Sequence, residues 1–245
     1  MKLFRSISAL FIMMVSLRRF NPKKQFRNKR VAIIGAASSI LQEEKGDYID
    51  NFDIVIRINK AGCTNYKIHK LFSGEKCTHL FHSFYENEFS GGGPLEWDHL
   101  NALGIKKVIN PNNSIKGLIT HLNFYKRHLK FYRTYILKAR AYSEINEHLE
   151  GWIPTVGFSA IISALKSPCR EIYLTGFTFF KSSYIDNYRD DLVDMDKNEA
   201  HIKKQGLHNP DLEFEIFKKE VYSSTCKKVT LDKELQRLLA VNSTL

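Results

Sequence analysis

Residues 31 to 61, VAIIGAASSILQEEKGDYIDNFDIVIRINKA, hold two apolar runs joined by a small-residue turn and a short polar stretch, and this pattern constrains the fold more than any other feature of the chain. Val31 to Ile34 is apolar without interruption, as expected of a parallel strand covered on both faces. Gly35-Ala36-Ala37-Ser38-Ser39 follows, where small residues let the backbone pass close to another group before entering a short helix. The first N–H groups of such a helix lack backbone partners and suit an anion. The second run, Asp53 to Ile58, ends in Arg57-Ile58-Asn59, which places a cation and an amide near the carboxyl edge where open α/β sheets bind ligands. Taken alone, a turn of this kind is equally compatible with an ordinary tight turn.

Apolar segments recur along the chain with helix-like segments between them. Thr78 to His82, Lys106 to Ile109 and Glu171 to Thr175 read as strands, and Pro94 to Leu103, Lys116 to Leu129 and Thr155 to Lys166 as helices, the last capped by its threonine. This alternation predicts an α/β fold with a mostly parallel, doubly wound (Rossmann-like) sheet. At 245 residues, 43% of them hydrophobic, the chain is long enough for one sizeable core, and residues 30–245 read as a single domain. Gly91-Gly92-Gly93-Pro94 and Asn110-Pro111-Asn112-Asn113 fall at strand ends, where they either rim a site or serve as ordinary connections. Phe179 to Gln205 reads as a mobile lid that delivers His208.

Charge is unevenly spread. The net charge is +11, and residues 1–30 carry Lys2, Arg5, Arg18, Arg19, Lys23, Lys24, Arg27, Lys29 and Arg30 with no acidic residue. Ile7 to Leu17, ISALFIMMVSL, is too short to span a bilayer comfortably. Residues 1–29 therefore read as a leader that lies on a membrane surface, with a cleaved signal or a solvated start as the other readings. No nucleic-acid partner is expected, since the rest of the chain has roughly balanced charge and no recognised binding motif. Cys63, Cys77, Cys169 and Cys226 show neither C-x-x-C spacing nor a dense framework, which argues for reduced thiols and against zinc.

Three stretches, in order, carry a family resemblance. VAIIGAASSI from Val31 with IDNFDIVIRINKA from Ile49 resembles the large sialyl motif of the sialyltransferases, glycosyltransferase family 29. Pro154-Thr155-Val156-Gly157-Phe158 followed by AIISALKSPCREIYLTGF resembles the small motif, and Gly206-Leu207-His208-Asn209-Pro210-Asp211-Leu212-Glu213 the very small motif. The resemblance implies a GT-A-variant fold and an inverting transfer of sialic acid, or of a related keto-sugar acid such as Kdo, from a CMP-sugar donor to a glycan acceptor hydroxyl. His208 would be the general base, Gly35, Ala36, Ser38, Asn59, Thr155, Val156, Gly157 and His201 would line the substrate site, and no metal or other cofactor would be needed. The Tyr- and Lys-rich stretch Tyr125 to Tyr142 either faces the acceptor or forms helix surface.

The departures from the family pattern are specific. Ala36 stands where the family has an asparagine, so any contact there must come from the backbone, and Val156 stands where it has a threonine. Val31 replaces the large-motif cysteine, so the family disulfide to Cys169 is not expected. Alternatives are a metal-dependent transferase using Asp194 and Asp196 of a D-x-D pattern, and an inactive nucleotide- or glycan-binding relative. The expected location is a membrane surface with the domain on the cytosolic side, or the Golgi membrane for a eukaryotic lumenal enzyme.

Overall fold

In the computed structural model, which describes residues 2–62, 69–87, 91–185, 188, 206–224 and 226–241, the two apolar runs are adjacent strands of one sheet. The strands are β1 (Leu17–Phe20), β2 (Arg30–Ile34), β3 (Ile54–Ile58), β4 (His79–Phe81), β5 (Lys107–Asn110), β6 (Thr134–Leu137), β7 (Glu171–Thr175) and β8 (Val229–Leu231). Their order across the sheet is β1-β6-β5-β4-β3-β2-β7-β8. Every pairing is parallel, so the sheet expected to be mostly parallel is wholly so among the described residues. The helices are α1 (Lys2–Ser16), α2 (Pro22–Gln25), α3 (Gly46–Asp50), α4 (Lys70–Ser73), α5 (Trp97–Ala102), α6 (Ile115–His128), α7 (Ala139–Asn146), α8 (Val156–Leu165), α9 (Pro210–Tyr222) and α10 (Lys233–Val241).

The period-two geometry of the strands splits their side chains between two cores. Val31, Ile33, Ile54, Ile56, Ile58, Ile172 and Leu174 point into the larger core, closed by α7, α8, α9 and α10. Ala32, Ile34, Val55 and Tyr173 point the other way, against Ile40, Ile49 and Phe52. Further along that second face, Leu80 and Val108 meet α1, α5 and α6 through Ala9, Ile12, Leu100 and Phe124. Burial on both faces is why these strands read as unbroken apolar runs.

Sheet order also fixes where a ligand can enter. From β2 the chain crosses to β3 on one side, while β7 pairs on the other, so β2 and β7 flank the point where the winding reverses. Open α/β sheets leave a crevice at the carboxyl ends of the strands at such a point.

The leader expected over residues 1–29 is part of this architecture. β1 is an edge strand paired with β6, and Phe20 and Phe26 are fully buried in the larger core. Pro22 in the first turn of α2 and the apolar pair around it show why the segment folds back: two phenylalanines this close to the basic run have nowhere else to leave water. Among the described residues, α1, β1 and the Phe20–Phe26 segment pack against the sheet and helices that follow them.

Candidate active site

The chain leaves β2 at Gly35 and β7 at Gly176, and the two turns touch. A Cβ on Gly35 would lie 2.0 Å from the Gly176 carbonyl oxygen, so a side chain at residue 35 has no room. Gly35 N–H donates to Thr175 O at 2.9 Å and Ala37 N–H to Gly176 O at 2.9 Å, lacing the turns together. Gly176 has φ +74°, a left-handed conformation that glycine tolerates, and its N–H is held by Asp232 at 2.8 Å. Beside this contact opens a cavity of about 550 Å³, within the range usual for small-molecule sites.

Gly35, Ala36, Asn59, Thr155, Val156, Gly157 and His208 all line that cavity, although they come from three distant parts of the chain. Ala36 gives its carbonyl to Ile185 N–H at 2.9 Å, so its amide is what it has left to offer a ligand. Asn59 sits at φ 50°, a left-handed conformation that asparagine adopts more readily than most residues. Its side-chain oxygen accepts from Ser83 N–H at 3.0 Å, which joins the ends of β3 and β4. Thr155 caps α8, its hydroxyl accepting from Phe158 N–H at 3.1 Å, and so the first turn of a ten-residue helix faces the cavity through Val156 and Gly157.

The segment carrying His208 is laced to the start of α8. Ile153 N–H donates to Leu207 O at 3.0 Å, and His208 Nδ1 lies 2.6 Å from Ile153 O. A carbonyl only accepts, so Nδ1 carries the proton and Nε2 keeps its lone pair. Burial lowers the pKa of His208, with the Ile153 bond opposing, so the imidazole is neutral near neutral pH. Asn209 caps α9 by accepting from Leu212 N–H. Glu213 in the first turn of α9 is 1% exposed and receives Thr155 N–H at 2.6 Å and the Thr155 hydroxyl at 2.8 Å. Burial pushes its carboxyl up to about 8, against the pull of both Thr155 bonds. Glu213 thus ties the His208 arm to the helix cap on the opposite motif.

Several expected roles shift. Ser38 does not line the cavity: its N–H donates to Ser183 O at 2.9 Å and its hydroxyl lies 3.1 Å from that of Ser183. The helix expected after Gly35 is a five-residue 3-10 turn, Ser38–Gln42, whose cap position, Ala37, makes no side-chain cap bond. Arg57 is 2% exposed and turns away from the carboxyl edge, donating to the carbonyls of Ser73, Gly74 and Lys76. It is a long side chain on a strand with both faces covered, so it reaches for loop carbonyls. None of Tyr125, Tyr132, Tyr135 or Tyr142 lines the cavity; Tyr125 is buried and Tyr132 stacks on Trp97 at 4.5 Å. His201, Asp194 and Asp196, with most of the expected lid, lie outside the described residues.

Other lining residues had no clear signal in the sequence: Lys116, Ser83, Phe177, Phe180, Tyr184 and Tyr188. The run Gly176-Phe177-Thr178-Phe179-Phe180 after β7 was the available hint. Phe179 and Phe180 both hold positive φ, 50° and 63°, and Phe179 is clamped between Phe214 and Phe217 of α9 with ring centroids 5.2 and 5.1 Å away. Such backbone strain persists only where packing over-determines it, and it clusters at ligand sites.

Comparison with known proteins bears on this site. A family model described as glycosyltransferase family 29 (sialyltransferase) matches residues 2–86 and 93–223. Among solved structures, a mammalian sialyltransferase in complex with Gal-beta-1-3GalNAc-ortho-nitrophenol is similar, with TM-score 0.54, 16% identity, and 92% of this chain and 79% of that chain covered. An apo alpha-2,3-sialyltransferase from Campylobacter jejuni is similar at TM-score 0.52 and 15% identity, covering 90% of this chain and 82% of that one. At these identities the likeness is one of fold. No curated protein sequence matches the chain.

Proposed function

Because the chain belongs to glycosyltransferase family 29 (sialyltransferase) and is a glycosyltransferase, we propose that it moves sialic acid from a CMP-linked donor to an acceptor hydroxyl with inversion, using His208 as the base. The observation that carries this reading is the pinned imidazole: Nδ1 is held on Ile153 O, in a segment laced to the helix start that shares its cavity with the Gly35 turn. Nucleotide phosphate fits between that turn and the first N–H groups of α8, where Thr155 has already used its side chain to cap Phe158.

In the reaction the acceptor oxygen attacks the anomeric carbon as the bond from that carbon to the phosphate oxygen breaks. CMP leaves with the bonding pair, and the acceptor proton passes to His208 Nε2. Depression of the His208 pKa keeps the base unprotonated at neutral pH, so the acid limb of turnover falls below the ordinary histidine range. A monophosphate leaving group carries less charge than a diphosphate, and helix N–H groups with neutral donors suffice to stabilise it; no divalent cation enters the proposed step. With Ala36 lacking a side-chain amide, the donor is held there through the backbone.

The test is His208→Ala with calorimetry and initial rates. CMP binding is expected to stay near that of the unmodified chain while turnover drops by about 10² to 10⁴, and EDTA is expected to leave turnover unchanged. Tighter binding of UDP than CMP, or loss of turnover on chelation, would overturn the proposal.

A further inference from the structure

α1 is amphipathic with its apolar stripe facing outward. The residues it turns toward α6 and the second core are Ala9, Ile12 and Ser16, and Arg5 reaches over to donate to the carbonyls of Lys126 and Arg127 at 2.6 and 3.0 Å. On the opposite side Leu3, Phe4, Ile7, Leu10, Phe11, Met14 and Val15 are exposed, Phe4 at 78% and Met14 at 73%. Leu3, Ile7, Leu10 and Met14 follow one another at intervals of three to four residues, with Phe4, Phe11 and Val15 beside them, which puts the set on one face of a helix. Phe131, 63% exposed, extends the stripe through an edge contact with Phe11 at 6.5 Å. A contiguous apolar surface of this size on a folded domain marks a docking face.

The surrounding charge selects the occupant. The sequence has no acidic residue from Met1 to Gln42 and none from His99 to Ser143, the two stretches that build this layer. Lys2, Arg18 and Arg19 stand at the ends of α1, and Lys130 and Arg133, both exposed, flank Phe131. A second copy of the chain on a twofold axis would bring these cations face to face. An anionic lipid surface complements both the stripe and its rim. α1 has 15 residues, and among the described residues no helix is long and apolar enough to cross a membrane.

We propose that this face, α1 with Phe131, rests on anionic lipid with the helix lying in the plane of the headgroups and its outer side chains inserted. The docked element is an integral layer of the fold, since α1 packs on α6 and runs directly into the edge strand β1. α6 is also the helix whose first turn lines the cavity through Lys116.

The experiment is sedimentation of the full chain with phosphatidylcholine vesicles made with and without phosphatidylserine, alongside Phe4→Gln/Met14→Gln and Lys130→Ala/Arg133→Ala. These positions are remote from the cavity, so melting temperature and CMP binding serve as controls for folding and are expected to be unchanged. Binding to the phosphatidylserine vesicles is expected to weaken at least about tenfold in the first variant and about fivefold for each cation removed in the second, and to fall as salt is raised. Failure of the full chain to sediment with either vesicle, or equal binding by Phe4→Gln/Met14→Gln, would overturn the proposal. So would a lipid-free dimer, seen by light scattering, that Phe4→Gln/Met14→Gln dissociates. That result assigns the face to a second copy. Loss of catalysis in His208→Ala bears only on the transfer reaction and leaves this proposal standing.

Discussion

At the scale of single residues, Glu213 carries the sharpest consequence. Its carboxyl is buried, held by both the N–H and the hydroxyl of Thr155, and has its pKa pushed up to about 8. In the unfolded chain a glutamate titrates near 4.3. Between those values the folded state binds more protons than the unfolded one, so Glu213 makes stability fall as pH rises from about 4.5 toward 8. Glu213→Gln keeps an acceptor for Thr155 N–H and removes the titration. Its melting temperature is expected to lose less across that window than the unmodified chain does, a difference on the order of a few degrees, read by thermal unfolding at several pH values. An identical pH slope in both proteins would show that the carboxyl titrates normally. The residue was visible in the sequence as the last member of a motif, but a glutamate in a first helical turn reads as solvated unless something covers it. What covers it is the α8 cap, which is distant in the chain.

At the scale of elements, the contact of the β2 and β7 turns holds the site together. The two glycines of the motifs are unequal. A methyl group at Gly35 would meet backbone, the Gly176 carbonyl at 2.0 Å, whereas at Gly157 it would meet the Phe177 ring at 3.0 Å, and a ring edge yields more easily than a carbonyl. Gly35→Ala is therefore expected to cost at least about 2 kcal/mol of stability, a typical overpacking penalty, and to abolish measurable CMP binding. Gly157→Ala should fold with near-normal stability and bind CMP about tenfold less tightly at most. Denaturant unfolding with calorimetry on both variants checks the ranking, and equal effects would contradict it. Sequence reading found β2, β3, β7 and α8 nearly to the residue, because unbroken apolar runs and a threonine cap are local signals. It missed β1, β6 and β8, strands of three or four residues with too short a local pattern to stand out before their parallel partners are known.

For the whole molecule, the N-terminal segment serves the fold first. Residues 1–29 supply an edge strand, two fully buried phenylalanines and the α1 layer. Removing one buried phenylalanine side chain usually costs about 3 to 5 kcal/mol, comparable to the whole stability of a marginal domain. Deletion of residues 1–29 is expected to yield a chain without a cooperative thermal transition by circular dichroism. A truncated protein that melts like the full chain would mean that the domain starts at β2. Burial raises the thiol pKa of Cys169 to about 12, which makes it a poor nucleophile.

The sequence by itself determined the fold class, the family and the three motifs, because each rests on short-range pattern: strands buried on both faces must be continuously apolar, and a helix start needs its cap nearby. It placed Gly35, Asn59, Thr155, Gly157 and His208 at one site only by analogy. Tertiary structure decided how they meet. The pairing of β2 with β7 brings Gly35 against Gly176, the length of Arg57 carries its charge to loop carbonyls and out of the site, and Ser38 is turned to Ser183. It also decided which face of α1 is buried. A helical period reveals an apolar stripe but not its direction, and here Ala9, Ile12 and Ser16 pack inward while Phe4, Phe11 and Met14 face out.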